Sequence, residues 1–252
     1  MTQPLPSQAR VVIIGGGIVG CSVAYHLTKL GWSDVVLLER KQLTSGTTWH
    51  AAGLLPHLRA TMNMTKLAKY SGSLYANLEA ETGLSTGYRQ TGSIGVALSE
   101  SRFEEFKRQA SMAKVFGIEA HVLTRAECKA RYPMLNDEGV VGGLFTPQDA
   151  QGDPANIALA LAKGARNGGA KIFERVCVTG IIKTKGRATG VSTDQGTITA
   201  EVVVNCAGMW ARDVGKMAGV NVPLQACEHF YVLTEIIAGL EKNLPVLRVP
   251  DE

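Results

Sequence analysis

The strongest constraint on the fold is a strand, a glycine loop and a helix at the start of the chain. Residues 11–14 form an apolar run rich in β-branched side chains, which is typical of a strand buried on both faces of a parallel sheet. The G-G-G-I-V-G hexapeptide of residues 15–20 follows directly. In this spacing the first glycine makes a tight turn, the second admits a pyrophosphate and the third lets a helix pack against the strand. A stripe of Val19, Val23, Leu27 and Leu30 then predicts a helix that ends at Gly31.

A second apolar strand at residues 35–38 leads to Glu39. An acid at this point accepts hydrogen bonds from an adenosine ribose and disfavours a 2′-phosphate. Strand, loop, helix, strand and acid together predict a dinucleotide-binding Rossmann-like unit. These features alone leave FAD and NAD as alternatives.

Two further segments resemble a known family. Glu39-Arg40 followed by L-T-S-G-T-T-W-H-A-A-G-L at residues 43–54 resembles the flavin segment of the sarcosine and dimethylglycine dehydrogenases, within the D-amino-acid-oxidase-like (DAO) superfamily. The V-V-V-N-C-A-G-M-W-A segment of residues 202–211 resembles the motif with which that superfamily contacts FAD a second time. The resemblance extends from about residue 10 to residue 250, and its T-W-H-A-A-G element is far more specific than the glycine fingerprint.

The resemblance implies FAD as the cofactor. In this family the histidine of the T-W-H element carries the flavin covalently through the 8α carbon, and the matching residue is His50. The alternative is that His50 lines the flavin pocket and FAD binds without a covalent bond. The residues that we expect to bind the cofactor are Gly15, Gly17, Ile18, Val19, Gly20, Glu39, Arg40, Thr47, Thr48, His50, Ala52, Gly53, Leu54, Val176, Ala207, Gly208 and Trp210.

The rest of the chain alternates helical and strand patterns. Helices are predicted at residues 64–81, from a capping box at Ser101 and Glu104 to residue 117, from a second box at Thr124 and Glu127, and after Asp153. Strands are predicted at residues 91–98, 176–183, 190–193 and 202–205. The resulting fold class is α/β: an FAD-binding Rossmann-like doubly wound sheet with an inserted β-meander, and a partial α+β substrate domain.

The predicted domains are discontinuous. Residues 10–58 and 150–217 form the FAD-binding domain, and residues 59–149 and 218–252 form the substrate-side domain. The isoalloxazine is expected between these domains, outside the carboxyl ends of the strands. Members of the family continue beyond the equivalent of residue 252, so the chain resembles their amino-terminal portion and its substrate domain is expected to be truncated.

The reaction that the resemblance implies is oxidative demethylation of an N-methyl amino acid at a CH–NH group. A hydride passes to flavin N5, water splits the iminium into amine and formaldehyde, and oxygen or an electron-transfer flavoprotein takes the electrons. His229 matches an H-x-Y element whose histidine faces the substrate amine in this family, and Tyr231 should share its face of a strand. Arg59 is a positional candidate for the carboxylate anchor. His57, taken as a surface histidine, is a weaker one.

Composition excludes several classes of protein. The chain has 26 Lys and Arg against 22 Asp and Glu, a formal net charge of +4, with no basic run, which argues against nucleic-acid binding. Its five cysteines are widely spaced without a C-x-x-C pair, which argues against a metal site or a disulfide framework and for buried thiols in a reducing compartment. No apolar run is long enough to span a membrane. The predicted location is the cytoplasm, with the mitochondrial matrix as the alternative.

Three other functions remain open at this point. The first is oxidation of a D-amino acid, glycine or glycerol phosphate by an enzyme of the same superfamily. The second is a non-catalytic FAD-binding chain that needs the missing carboxyl-terminal part. The third is an NAD-dependent dehydrogenase, which the lack of a nicotinamide-like segment after residue 205 disfavours. The T-W-H element disfavours the first of these alternatives.

Overall fold

The computed structural model describes residues 4–241 and 243–251, and the chain separates into two compact units. The first unit comprises the residues up to Ala52, Leu78–Thr86 and Pro154–Phe230, and the second comprises Gly53–Asn77, Gly87–Asp153 and the residues from Tyr231 onward. The functional domain assignment stays a prediction. Lys242 and Glu252, in the predicted substrate-side domain, lie outside the described residues.

The chain contains both strands and helices, with short 3-10 turns at Thr48–His50 and Gly208–Trp210. In chain order they are β1 (Gln8–Ile14), α1 (Ile18–Lys29), β2 (Val35–Glu39), β3 (Leu54–Leu55), α2 (Met62–Thr82), β4 (Ser93–Ala97), α3 (Glu100–Phe116), β5 (His121–Thr124), α4 (Arg125–Arg131), β6 (Gly142–Thr146), β7 (Ala150–Gln151), α5 (Pro154–Asn167), β8 (Lys171–Glu174), β9 (Val178–Thr184), β10 (Arg187–Thr193), β11 (Gly196–Asn205), α6 (Ala211–Ala218) and β12 (Val246–Arg248).

The first unit contains a six-stranded sheet in the order β8-β2-β1-β11-β10-β9. Strand β1 pairs in parallel with β2 on one side and with β11 on the other, whereas β9, β10 and β11 form an antiparallel meander. Val12 and Ile13 in β1 are fully buried, as a central strand covered on both faces requires. The predicted α/β class, the Rossmann-like sheet and the inserted meander are confirmed.

Helix α1 packs against α5 through a face that the apolar stripe did not predict. Its buried residues are Gly20, Cys21, Ala24 and Tyr25, whereas Val19 is 61% exposed and Leu30 is 75% exposed. Small residues allow the two helices to approach closely: a Cβ atom at Gly164 of α5 would come within 2.7 Å of the Tyr25 ring. The helix that the stripe predicts is therefore present, and close packing rather than hydropathy selects its buried face.

The second unit contains a four-stranded sheet in the order β12-β4-β6-β5. Ile94 and Val96 of β4 lie in one core cluster with Cys128 of α4, while Ala97 lies in another with Phe106 of α3. Each cluster takes alternate residues of β4, so the strand contributes apolar side chains to both faces of the sheet. None of the helices in the described part of the chain is long and apolar enough to cross a membrane.

The two predicted capping boxes have different outcomes. Thr124 and Glu127 form a complete box at the start of α4, with both reciprocal hydrogen bonds present. The box predicted at Ser101 and Glu104 is wrong, because α3 begins at Glu100 and its N-cap is Ser99. Ser99 has an extended backbone and its hydroxyl accepts a hydrogen bond from the Arg102 N–H at 3.3 Å. Ser101 therefore lies inside the first helical turn.

The predicted strand that carries His229 and Tyr231 is absent. Residues 221–237 have no helix or strand, and both side chains are exposed. Within the described ranges no strand pairs with this segment, so its backbone groups have no ladder partner. Its apolar side chains are correspondingly uncovered: Phe230, Val232, Leu233 and Ile236 are between 85% and 99% exposed.

We predict that Gly20→Ala destabilises the first unit. A Cβ atom at this buried position would collide with the Gly15 carbonyl oxygen, which is backbone and does not move easily. The free energy of unfolding should fall by about 1–3 kcal/mol, the usual range for overpacking. Urea denaturation measures the change. Gly180→Ala is the matched control, because its Cβ would make only ordinary contacts near 3.8 Å with Ser192; an equal effect of both substitutions would contradict the prediction.

Candidate functional site

The two glycine motifs meet at the carboxyl edge of the first sheet. Ile14 at the end of β1 is in register with Asn205 at the end of β11, and the Cys206 N–H donates to the Ile14 carbonyl at 2.8 Å. Gly15 adopts φ +112°, and a Cβ there would collide with the Cys206 carbonyl oxygen. Glycine is therefore required both by backbone conformation and by this close approach.

A cavity of 330 Å³ lies at this edge, within the first unit. Most of the predicted cofactor-binding residues line it, whereas Gly20, His50, Ala52, Gly53 and Leu54 do not. The lining residues that the sequence predicted are Gly15, Gly17, Ile18, Val19, Glu39, Arg40, Thr47, Thr48, Val176, Ala207, Gly208 and Trp210.

The sequence analysis missed several residues of this cavity. Lys41, Ser45 and Cys206 also line it, and each adjoins a predicted motif. Asp213 and Met217 line it from α6. Their spacing of four residues places them on one face of that helix, a signal that the sequence analysis overlooked.

Glu39 fixes the glycine loop through its carboxylate. One oxygen accepts a hydrogen bond from the Gly16 N–H at 2.7 Å, and the other accepts one from the Lys41 N–H at 2.9 Å. An ionised carboxylate offers about four acceptor sites. Two of them remain after these bonds, so Glu39 can hold the loop and accept hydrogen bonds from ribose hydroxyls together.

The amino terminus of α1 points to an anion at the loop. Its N-cap is Gly17, which has no capping side chain, and its first turn contains no acidic residue. The Ile18 N–H donates to the Thr48 hydroxyl at 3.0 Å, which ties the T-T-W-H segment to the helix start. The positive end of the helix dipole at such an amino terminus favours negatively charged groups such as a pyrophosphate.

Arg40 and Trp210 join the first and second flavin motifs. The Arg40 guanidinium lies 4.1 Å from the centroid of the Trp210 ring, and both residues line the cavity. Gly46 allows the indole to approach, since a Cβ there would be 3.3 Å from the ring. This cation–π contact links residues from distant parts of the sequence on one side of the cavity.

The cysteines near the loop are not reactive thiols. Burial raises the pKa of the Cys21 thiol to about 12, and burial also raises the pKa of Cys206. Both thiols are therefore protonated near neutral pH, and a protonated thiol is a weak nucleophile. The prediction that most thiols are buried is wrong: Cys21 and Cys128 are buried, Cys177 and Cys206 are half-buried, and Cys227 is exposed.

His50 lies in the 3-10 turn that follows Thr47. Its imidazole stacks on the Trp49 indole, with 3.6 Å between ring centroids and 36° between ring planes. The side chain is exposed and lies outside the lining of the 330 Å³ cavity. His50 is therefore close in sequence to Thr47 and Thr48, which line that cavity, but it does not line the cavity itself.

Arg59 lines a second cavity of 470 Å³, which lies within the second unit. The backbone of Arg59 is held by the fully buried Thr65, whose hydroxyl accepts from the Arg59 N–H at 3.1 Å and donates to the Arg59 carbonyl at 3.3 Å. Arg102, Arg248 and Asp149 also line this cavity. His229 and Tyr231 line neither cavity.

His57 is not the surface residue that the sequence analysis assumed. It is buried, and a Cβ at Gly72 of α2 would come within 2.7 Å of its Nε2. Its backbone N–H donates to Asp149 Oδ1 at 2.7 Å, and its Nδ1 lies 3.6 Å from the same oxygen. His57 therefore contacts Asp149, which lines the second cavity, but does not line that cavity itself. No group of three metal-ligating side chains occurs among the described residues.

A family model described as FAD dependent oxidoreductase (DAO) matches residues 10–252. The chain is 47% identical to the mitochondrial sarcosine dehydrogenase of Mus musculus over 99% of its length, and it spans 28% of that protein. It is 45% identical to the mitochondrial pyruvate dehydrogenase phosphatase regulatory subunit of Mus musculus over 96% of its length, again spanning 28% of the relative.

Among solved structures, the chain is similar to the L-proline dehydrogenase of P. horikoshii. The TM-score is 0.81 at 30% sequence identity, covering 86% of this chain and 57% of that one. The family resemblance predicted from the T-W-H and second glycine motifs is confirmed.

We predict that Glu39→Gln weakens FAD binding by roughly 10- to 100-fold, because it removes the charge from hydrogen bonds to Gly16 and to ribose. The dissociation constant is measured by fluorescence titration of apoprotein with FAD. Glu201→Gln is the matched control: Glu201 is exposed and pairs only with Arg10, at 3.6 Å, among the ion pairs of the described residues. An unchanged constant in Glu39→Gln would show that this carboxylate does not contact the cofactor.

Proposed function

The chain belongs to the DAO family of FAD-dependent oxidoreductases, and from this we propose that it acts in the oxidative demethylation of an N-methyl amino acid of the sarcosine or dimethylglycine type. The observation that carries the proposal is 47% identity to a sarcosine dehydrogenase along 99% of the chain. The chain spans 28% of that relative, and the activity of the whole protein is therefore a proposal.

The residues of the first cavity fit FAD. A Cβ at Gly15 would fill the space against Cys206, Glu39 has free acceptor sites, and the first turn of α1 lacks an acidic residue. In the proposal the glycine loop receives the pyrophosphate and Glu39 receives the ribose. Bound FAD supplies the acceptor for the hydride that leaves the carbon next to the amine nitrogen.

The substrate must be held by its carboxylate and must present an unprotonated amine. We assign the first task to Arg59, which lines the 470 Å³ cavity. His229 is the proposed acceptor of the amine proton, since imidazole titrates near neutral pH, and Tyr231 is proposed to assist it. Once the C–H bond is oxidised, water adds to the iminium carbon and releases formaldehyde and the demethylated amine.

A specific observation favours a second candidate function. One relative at 45% identity is named as a regulatory subunit of a phosphatase, not as an oxidoreductase. In that case the chain would bind FAD without turning over an amine. The exposed positions of His229 and Tyr231, outside both cavities, are compatible with this alternative.

The names of both curated relatives include the word mitochondrial. They support the mitochondrial matrix, the alternative location, over the cytoplasm. The electron acceptor, oxygen or an electron-transfer flavoprotein, stays part of the proposal.

The proposed function is tested by anaerobic addition of sarcosine or dimethylglycine to the FAD-loaded protein. The flavin absorbance near 450 nm should bleach (roughly stoichiometrically with bound FAD), because a hydride transfer reduces one flavin per substrate. Glycine, D-alanine and glycerol phosphate serve as comparison substrates. Bleaching by one of these alone would support another oxidoreductase of the family, and no bleaching by any of them would support the non-catalytic candidate.

We further expect His50 to carry the flavin covalently. Acid precipitation should then leave the yellow colour in the pellet of the native protein, and His50→Ala should release all of it to the supernatant. His121→Ala is the control, since His121 is an exposed histidine that pairs with Glu119 at 2.8 Å in the second unit. If the native protein releases its colour, FAD is bound without this bond and His50 does not carry the cofactor.

A further inference from the structure

Arginines from three distant segments line the cavity of the second unit. Arg59 follows β3, Arg102 lies in α3 and Arg248 ends β12. Of these, the sequence singled out only Arg59. We infer that Arg248 is a second substrate-binding residue and that Arg59 and Arg248 together bind the carboxylate of the substrate. The identity of the acid rests on the proposed function, whereas the binding of a carboxylate by Arg59 and Arg248 does not.

The charge of Arg102 is already compensated. Its Nε donates to Asp251 Oδ1 at 2.7 Å, and its Nη2 donates to the Pro250 carbonyl at 3.5 Å. Asp251 also accepts a hydrogen bond from the Leu98 N–H at 3.0 Å, and the Arg102 guanidinium holds the pKa of this carboxyl below its usual value. Arg102 therefore fastens the segment after β12 and is not available to a ligand.

Arg248 faces the cavity because of its register in the sheet. Strand β12 pairs in parallel with β4, and Arg248 is opposite Gly95. Gly95 is in turn opposite Leu144 of β6. Paired residues of neighbouring strands lie on the same face of a sheet. Gly95 and Leu144 both line the cavity, so this register places Arg248 in the same row.

The floor of the cavity is polar but internally satisfied. Asp149 is 4% exposed, and its carboxylate accepts hydrogen bonds from the His57 N–H at 2.7 Å and the Ser93 hydroxyl at 2.5 Å. Glu105 is half-buried and accepts from Gln109 Nε2 at 3.2 Å. Neither carboxylate forms an ion pair with an arginine in the part of the chain that the structure describes.

Two of the lining arginines have no ion-pair partner. Arg59 and Arg248 have no acidic partner within the described ranges, and the two lining carboxylates, Asp149 and Glu105, accept hydrogen bonds from other groups. Both guanidinium groups are therefore available to a ligand. A guanidinium binds a carboxylate through two parallel N–H···O bonds, which an amine without a carboxylate cannot form. The cavity should therefore select amino acids over amines that lack the acid group.

The test compares Arg248→Gln and Arg248→Lys with the native chain. All three proteins are loaded with FAD. For sarcosine, Arg248→Gln should raise KM roughly tenfold, the loss expected for one charge-assisted hydrogen bond, and leave kcat within about twofold. Arg248→Lys should recover part of the lost affinity, because lysine keeps the positive charge but cannot form the two parallel N–H···O bonds of a guanidinium. Turnover of dimethylamine, which has no carboxylate, should not change.

A binding measurement separates this inference from the proposed function. The probe is acetate, whose dissociation constant is measured by NMR titration without any turnover. Arg248→Gln should weaken acetate binding roughly tenfold. Arg187→Gln, an exposed arginine of β10 in the first unit, should leave it unchanged. Thermal unfolding of each variant verifies that the fold is retained.

The outcomes are distinct. If acetate binding depends on Arg248 but sarcosine does not bleach the flavin, the carboxylate site stands and the proposed function fails. If sarcosine is oxidised with the same KM in Arg248→Gln, the proposed function stands and the inference is overturned. Absence of acetate binding to the native chain, or equal binding to Arg248→Gln, also overturns it.

Discussion

The parallel pairing of β1 with β11 is the interaction on which the first unit depends. It brings a glycine loop near residue 15 beside a second glycine segment near residue 207, and the hydrogen bond from Cys206 to Ile14 sets their spacing. The approach is so close that Gly15 has no room for a side chain. The loops that follow parallel strands lie at the same edge of the sheet. Ligands of doubly wound sheets bind at this edge. Every lining segment of the 330 Å³ cavity converges on this edge.

Three carboxylates organise the loops that carry the functional residues. Glu39 accepts from the N–H groups of Gly16 and Lys41, and Glu174 accepts from the Leu43 N–H at 2.6 Å. In the second unit Asp149 holds the segment that leads to Arg59. Each carboxylate replaces water as the partner of backbone N–H groups that no helix or strand satisfies. Loops without regular hydrogen bonds thereby acquire a defined position, which a binding residue needs.

The two cavities differ in the groups that line them. The first is lined by the amino terminus of α1 and by glycines, a setting in which backbone N–H groups bind phosphates in other proteins. The second is lined by the long side chains of arginines. Backbone donors suit a cofactor that stays bound in one position, and flexible side chains suit a smaller ligand that must enter and leave. This division fits an oxidoreductase that retains its flavin and exchanges its substrate.

The sequence by itself determined the parts of the molecule that depend on neighbours along the chain. The glycine hexapeptide, the acid after β2 and the capping box at Thr124 are local patterns, and each predicted its structure because turns and helix starts need only a few adjacent residues. Together with the T-W-H element they were sufficient for the family and for most of the lining of the first cavity.

Only the tertiary structure decided which surfaces are covered and which segments pair. The stripe at Val19 is exposed, His57 is buried, and the segment of His229 is not a strand, although its side chains have β propensity. Arg248 was overlooked because its place at the second cavity follows from its register beside Gly95, far away in the sequence. Burial and strand pairing depend on contacts with residues that are distant in the chain. A local sequence pattern does not specify which distant residues those are.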